Sequence, residues 1–585
     1  MAATQPVTTV TPSLHRDPRR FRWPLLAVGA VLIGLAAFLT PARLERLLLG
    51  QATGSLAWGP LLFRALLAFH GILLLLLAAF RPAAREQVLS MPEPQRVQVR
   101  AGVWFALIGL TAFALALRIY GLNSCLWFDE VITLIEFVRP PLGTIITSFH
   151  SQNQHMLYSV LANVSLRLLG ETPAALRLPS VLFGITSLWA LFLLGQKLIG
   201  QVPALLACTL MAVSYHHLWF SQNARGYMGL LFLATLATWL WLEAMDRSRT
   251  RWWLLYAVTI ALGMWVHLTM LFVAVAHALV HFGREAVRRF RNSTTPARGP
   301  VRALIFGYGL AGTLTLQLYA LSLPDFFHGA AHESVGIKSE WTNPLWVVLA
   351  TAQGLRVGWA SAIVVVCAAI LSVAGWLKIF RRDSRAAVAM VLPGILGTAT
   401  MVTLSHAMWP RFFFFSLGFV LLVVVAGSIG VAKWATRLVE PAGRQKFGLA
   451  LGYGVVGALI LASLGTLPRY YALPKQDFTG ALAFVERNRK PDDAVVGVGI
   501  AGVAYRKYFA PHWLSAETKA EFDQVRQQHP NLWVVYTIPA QLRSLDLQFW
   551  SELQRDFRVV RVFRGTLGDG ELYVCLPRSV AATTD

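Results

Sequence analysis

Long apolar runs follow one another along most of the chain, separated by short basic loops. A helical span of a bilayer core needs roughly 17–25 apolar residues, and on that measure about thirteen spans are expected. They fall near residues 24–40, 62–80, 101–118, 176–198, 203–220, 226–245, 252–265, 267–283, 302–323, 359–379, 386–405, 412–432 and 447–467. The run 252–283 is continuous, with His267 near its middle, and reads as a hairpin of two short spans or as one long helix. After residue 467 the pattern changes to polar segments of alternating period. Helix signals lie near 477–489, 516–528 and 545–555; β-rich runs lie at Ala494–Val498, Leu532–Thr537, Val559–Phe563 and Glu571–Leu576. Such alternation predicts a small α/β domain after the spans.

Composition agrees: 56% of the 585 residues are hydrophobic and 14% charged, with mean hydropathy +0.55. That excludes an ordinary soluble protein and fits a polytopic α-helical membrane protein. The net charge of +23 would suit nucleic acid, but the basic residues cluster in the loops, so no nucleic-acid partner is expected. One set of loops carries Arg16, Arg19, Arg20 and Arg22, then Arg81, Arg85, Arg96 and Arg100, then Arg247, Arg249 and Arg251. It continues with Arg284, Arg288, Arg289, Arg291, Arg298 and Arg302, then Lys378, Arg381, Arg382 and Arg385, then Lys433, Arg437, Arg444 and Lys446. With thirteen spans all of these share one side, which should be cytoplasmic, and 252–283 is then a hairpin. The other side receives 119–175, the turn 221–225, the loop near 324–358 and the tail. The first span lacks a small-residue cleavage site and reads as retained. Cys125, Cys208, Cys367 and Cys575 have no metal-ligand spacing and do not read as a disulfide framework.

Polar residues at the outer ends of the spans carry the candidate chemistry. Asp129-Glu130 follows Leu126-Trp127-Phe128 in the long outer loop. A carboxylate there can act as a base on an incoming hydroxyl, or Asp129 can cap a helix at 130–138 with Glu130 in its first turn. The stretch 151–158 brings Gln154, His155 and Tyr158, as phosphate and sugar-hydroxyl ligands or as a helix start with Asn153 and Gln154 as caps. Arg177 stands at a span mouth, able to snorkel, to pair with Glu171 or to meet a lipid phosphate. Arg225 and Tyr227 belong to the turn 221–227, and Arg411 to 406–412; each arginine suits a phosphate or a snorkelling role. His267 sits at the outer apex of the hairpin. His328, His332 and Glu333 have a helical spacing that weakly suits a metal. Gly497, Gly499 and Gly502 follow a strand as a tight turn or a partial nucleotide fingerprint. Intramembrane charges are otherwise scarce, so the convergence on one side points to a site.

The order of these motifs resembles the GT-C membrane glycosyltransferases of the family 39 type. That type includes protein O-mannosyltransferases, lipid A aminoarabinose transferases and RgtA/B/C/D-like enzymes. The resemblance rests on Trp127–Glu130, His155-Met156-Leu157-Tyr158, Ala175–Ser180, Ala224-Arg225-Gly226-Tyr227 and Pro410-Arg411-Phe412, across residues 101–435. It implies a GT-C transmembrane catalytic domain over 101–467 with an outer loop at 119–175. Residues 1–100, with two spans, stand before it as an addition, and an extracytoplasmic α/β domain follows over 468–585. It implies sugar transfer, with inversion, from a polyprenyl-phosphate-linked donor to a glycolipid, polysaccharide or protein acceptor on the non-cytoplasmic face. Asp129 would be the base, with Glu130 beside it in the catalytic pair orienting the acceptor or the loop. His155, Arg225 and Arg411 would hold the donor phosphate; Gln154, Tyr158, Arg177, Tyr227 and His267 would line the substrate site. Members often carry Lys-Pro-Pro or His-Pro-Pro at 155–157 and an acidic residue near Gln222-Asn223; neither is present here. No metal ligand or other cofactor is assigned, and a divalent metal stays open. The expected setting is the plasma (inner) membrane of a bacterium, among membrane lipids. A transporter or flippase is the competing reading, set back by the lack of internal repeats.

Overall fold

The computed structural model describes residues 22–79, 98–247, 249–291, 300–329, 343–346, 349, 362–439 and 445–578. Helices stand at every apolar run. Eight described helices are long and apolar enough to cross a membrane, or ten when two bent pairs each count as one span. That is fewer than the thirteen expected. At the other three positions stand the helices Thr250–Val266, Ala303–Tyr319 and Ala362–Arg382. The chain is an integral membrane protein.

Bends explain part of the shortfall. Arg22–Phe38 and Pro41–Leu49 meet at 89°, because Thr40 caps the second helix by accepting from the Arg43 amide and Pro41 opens it. Gln201–Ala212 and Tyr215–Ser221 meet at 62° around Ser214, whose hydroxyl accepts from the His217 amide. The run 252–283 folds as two helices, Thr250–Val266 and Met270–Phe290, broken at His267–Thr269.

Pro173–Ile199 and Tyr227–Arg247 form the centre of the bundle; Gly59–Ala79 and Lys446–Ala472 lie at its periphery with apolar side chains outward. The central pair carries the turn 221–226 at one end. Arg118, wholly buried at the end of Ala101–Ile119, fixes that turn: its guanidinium donates to Ala114 O (2.8 Å) and Ala212 O (3.1 Å) and meets His217 Nδ1 (2.6 Å) and Ser221 Oγ (3.2 Å). The loop 120–172 is itself helical, with Phe128–Ile132 running into a π-turn at Thr133–Val138, then Leu142–Thr147 and Met156–Leu169.

The tail folds around a five-stranded mixed sheet. The strands are β1 Ala494–Val498, β2 Leu514–Ala516, β3 Leu532–Thr537, β4 Phe557–Phe563 and β5 Leu572–Pro577, in the order β2-β1-β3-β5-β4. β1 pairs in parallel with β2 and β3; β5 pairs antiparallel with β3 and β4. Every residue of β3 is buried, because helices cover both faces. The expected helices are Phe478–Asn488, Lys519–Gln528 and Leu547–Asp556; β2 and the helix Ile500–Ala504 were not expected. The glycines in and after β1 have structural uses: a methyl group at Gly497 would stand 2.5 Å from Gly502 Cα, and Gly499, with φ +59°, makes the turn.

Candidate active site

Trp127, not Asp129, caps the helix at 128, and Glu130 closes the turn by accepting from the Trp127 amide (3.3 Å). The turn therefore sends the two carboxylates in different directions. Glu130 points inward and is fully buried. Arg177 meets it with two bonds (Nε 2.8 Å, Nη2 2.6 Å), the Ala224 amide donates to it (2.8 Å), and Lys475 Nζ lies 3.6 Å away. Arg177 spends its other N–H groups on the carbonyls of Leu122, Ser124 and Cys125. All five of its donors are used, so Arg177 is neither a snorkelling side chain nor the partner of Glu171, which pairs with Arg139 at 2.6 Å. Burial alone would raise the Glu130 carboxyl, but Arg177, Lys475 and the Ala224 amide outweigh it and hold it below its ordinary value.

Asp129 points the other way and stays about one-fifth exposed. Arg411 Nη1 lies 3.4 Å and Arg225 Nη1 3.8 Å from its Oδ2. Arg225 also donates to Asn153 Oδ1 (3.1 Å), which fixes the cation against the loop of 151–155. Asn153 and Gln154 do not cap the next helix: its first residue is preceded by His155 without a side-chain cap, and Gln154 Nε2 donates to Ile145 O (3.3 Å). Beside Arg225, His155 and His267 stack at 5.0 Å, with Tyr227 set edge-on to His155 at 5.2 Å. This approach requires glycine at 226, where a methyl group would stand 2.9 Å from the His155 side chain.

The two histidines hold opposite tautomers. His155 Nδ1 lies 3.2 Å from Val266 O, so it carries the proton, and the neutral ring offers a bare lone pair at Nε2. His267 Nδ1 accepts from the Thr269 amide (3.2 Å), which leaves its proton on Nε2. Both rings are neutral: burial, then Arg225, pushes His155 well down, and the same causes push His267 down to about 3. A neutral His155 thus accepts at Nε2; it donates to a phosphate only as imidazolium.

Tyr158 is buried within the loop helices, where its hydroxyl donates to Leu176 O at 2.5 Å. His406 meets Gln152 at 2.9 Å. His332 and Glu333 lie outside the described residues, and no group of three His, Cys, Asp or Glu able to hold a metal ion occurs among the described ones. Among the described residues, three buried nitrogens near Asp129 have no partner: Arg225 Nε, Arg411 Nε and His155 Nε2. Such groups cost free energy unless something else fills them.

The sequence did not single out Lys475 and Gln476. Gln476 accepts from the Phe128 amide (2.9 Å) and donates to Thr537 in β3 (3.1 Å); Lys475 bonds Gln222 O and lies over the Trp219 ring. They splice the start of the tail into the base of the Asp129 turn. Phe128 packs against the helical layer over β1 and β3, and Lys507 pairs with Glu136 at 2.9 Å. Only their position after the last span could have marked them, and that reads as snorkelling.

Residues 154–306 match the family model for dolichyl-phosphate-mannose-protein mannosyltransferases. That stretch contains His155, Arg177, Arg225, Tyr227 and His267; Asp129 and Arg411 lie outside it. No curated protein matches the chain. Among solved structures, ArnT from Cupriavidus metallidurans in the apo state is 13% identical over 83% of this chain and 100% of that chain, with a TM-score of 0.48. AglB from Archaeoglobus fulgidus, in complex with an inhibitory peptide and a dolichol-phosphate, is 12% identical over 83% and 75%, with a TM-score of 0.40. Arabinosyltransferase EmbB from Mycobacterium smegmatis is 13% identical over 76% and 46%, with a TM-score of 0.38. The family match thus lies across the turn at 221–226 and the histidine pair just described.

Proposed function

We propose that the chain transfers a hexosyl or pentosyl group from a polyprenyl-phosphate-linked donor to a hydroxyl acceptor on the non-cytoplasmic face of the membrane, with Asp129 as base. The observation that carries this reading is the placement of Asp129 between Arg225 and Arg411, whose Nε atoms are buried without a protein partner. As the sugar–phosphate bond breaks, the leaving phosphate gains negative charge, and preorganised guanidinium donors stabilise it. Asp129 takes the proton of the attacking hydroxyl, and one displacement inverts the anomeric carbon. His155 joins the phosphate site only after gaining a proton, a change that the negative charge building on the leaving phosphate favours by offsetting Arg225. In its neutral form it accepts from a sugar hydroxyl. His267 supplies the complementary Nε2–H. Glu130 and Arg177 position the turn and touch no substrate.

The acceptor is a glycolipid, a polysaccharide or a protein, and the setting is a bacterial inner membrane with the tail domain outside. Lys475, Gln476 and the Phe128 contact support a tail that acts on the same side as Asp129. A transporter is not favoured, because the charged groups gather at one end of the spans and not at their middle. The test is release of polyprenyl phosphate from purified polyprenyl-phosphate hexose, pentose and aminopentose donors in the presence of envelope glycolipid or glycan. Asp129→Asn should fold normally, retain donor and lose about 10²–10⁴-fold in transfer. Near-normal transfer by that variant removes Asp129 from the base role.

A further inference from the structure

A cavity lies at the opposite end of the bundle from Asp129. The helix Met270–Phe290 begins just after His267 and runs 21 residues, so its far end stands ~30 Å from the histidine pair. There, a cavity of about 880 Å³ opens between this helix, Ser384–Thr403 and the ends of Tyr227–Arg247 and Ala362–Arg382. Five arginines line it: Arg284, Arg288, Arg291, Arg302 and Arg385. Glu285 is the one carboxylate among the described lining residues.

The arginines differ in how far they are neutralised. Arg385 is bound by Asp383 (2.7 Å) and Asp246 (2.8 Å), and Arg288 by Glu285 (3.0 Å). Arg284 donates only to Ser384 Oγ (3.1 Å), and neither it nor Arg291 meets a carboxylate among the described residues. His281 also lines the cavity, with its Nδ1 buried and unpartnered. The remaining wall is apolar and reaches the outer surface of the bundle: Leu279 and Val287 line the cavity and are each about half exposed. Arginines that merely mark one side of a membrane point separately into water; here they close on one space with an apolar flank. A forked cation cluster beside a greasy wall matches a phosphate attached to a hydrocarbon chain.

We propose that this cavity binds the phosphate headgroup of a lipid in the leaflet opposite the Asp129 site. Arg284, Arg288 and Arg291 hold the phosphate, and the chain lies along Leu279, Val287 and Leu392. Two sources share this chemistry: an anionic glycerophospholipid of the bilayer, and the polyprenyl phosphate carrier.

Native mass spectrometry of the purified, delipidated full chain tests it. Phosphatidylglycerol, polyprenyl phosphate, phosphatidylcholine and inorganic phosphate are each added alone. The wild type and Arg225→Ala/Arg411→Ala should retain phosphatidylglycerol or polyprenyl phosphate, and which of the two is kept identifies the source. Added to Arg225→Ala/Arg411→Ala, which removes the Asp129 site, Arg284→Gln/Arg288→Gln/Arg291→Gln should retain at least tenfold less. Where the triple variant fails to fold, Arg291→Gln alone, at an exposed position, should retain about threefold less. Equal retention with and without the substitutions at Arg284, Arg288 and Arg291 overturns the proposal. So does phosphatidylcholine binding as well as phosphatidylglycerol, or full displacement of lipid by an equal concentration of inorganic phosphate.

Discussion

The two sides of one short helix, Phe128–Ile132, solve opposite problems. On the Glu130 side a buried carboxylate and a buried guanidinium consume each other's hydrogen-bonding capacity, and backbone carbonyls and amides take the remainder. On the Asp129 side the same residue types lie further apart, at 3.4 and 3.8 Å, and three nitrogens nearby are left unfilled. A polar network that is complete has nothing to offer a ligand; one that is incomplete is held open by its neighbours. Adjacent residues of like chemistry can thus belong to a scaffold and to a site, and the count of unused donors tells them apart.

The comparison breaks most readily at Arg177. Arg177→Ala takes from buried Glu130 its two-bond partner, and Glu130→Ala leaves the buried Arg177 and Lys475 without a carboxylate; each should cost about 3–5 kcal/mol. Thermal unfolding in detergent reads it, and a Glu130 variant as stable as the wild type but defective in transfer would put Glu130 back among the substrate ligands. Next come Arg225→Ala and Arg411→Ala. Each should lower transfer about 10²–10³-fold with an unchanged melting temperature. Loss of folding in both would place these arginines with the scaffold.

Lys475 gives a pH test. Burial, with Arg177 nearby, pushes its ammonium down to about 7, whereas the unfolded chain keeps that proton to about 10.4. Between those values the unfolded state binds more protons, so this residue makes stability rise with pH across the window. The melting temperature of the wild type should climb from pH 7 toward 9, and Lys475→Met should flatten the climb. A slope that survives in Lys475→Met assigns it to another group. The smallest effect belongs to Tyr158→Phe, which removes one bond to Leu176 O: about 1 kcal/mol of stability and no change in transfer. A transfer defect without a stability loss would restore Tyr158 to the substrate site.

The helices were legible because apolar runs of span length have few other uses. Their bends were not, since Thr40 and Ser214 are small polar residues inside nearly continuous apolar sequence. The strands with four or more apolar positions could be read, whereas three-residue β2 carries too little pattern. Asp129, Arg225 and Arg411 stood out by lying at span ends. What could not be read was which carboxylate meets which arginine: Glu130 and Arg177 are 47 residues apart, and pairing over that distance is decided by packing. The tautomer of His155 was hidden for the same reason, because the carbonyl of Val266 lies 111 residues away in a different hairpin.

The bond from the Phe128 amide to Gln476 joins residues 348 positions apart. During synthesis, the turn that holds Asp129 leaves the ribosome long before its brace exists. Through all of that interval the early spans can insert, but the turn lacks Gln476 and Lys475. A chain cut short after Ala472 would therefore carry the spans without the brace, so the Asp129 turn takes its final form only once the tail domain has been made.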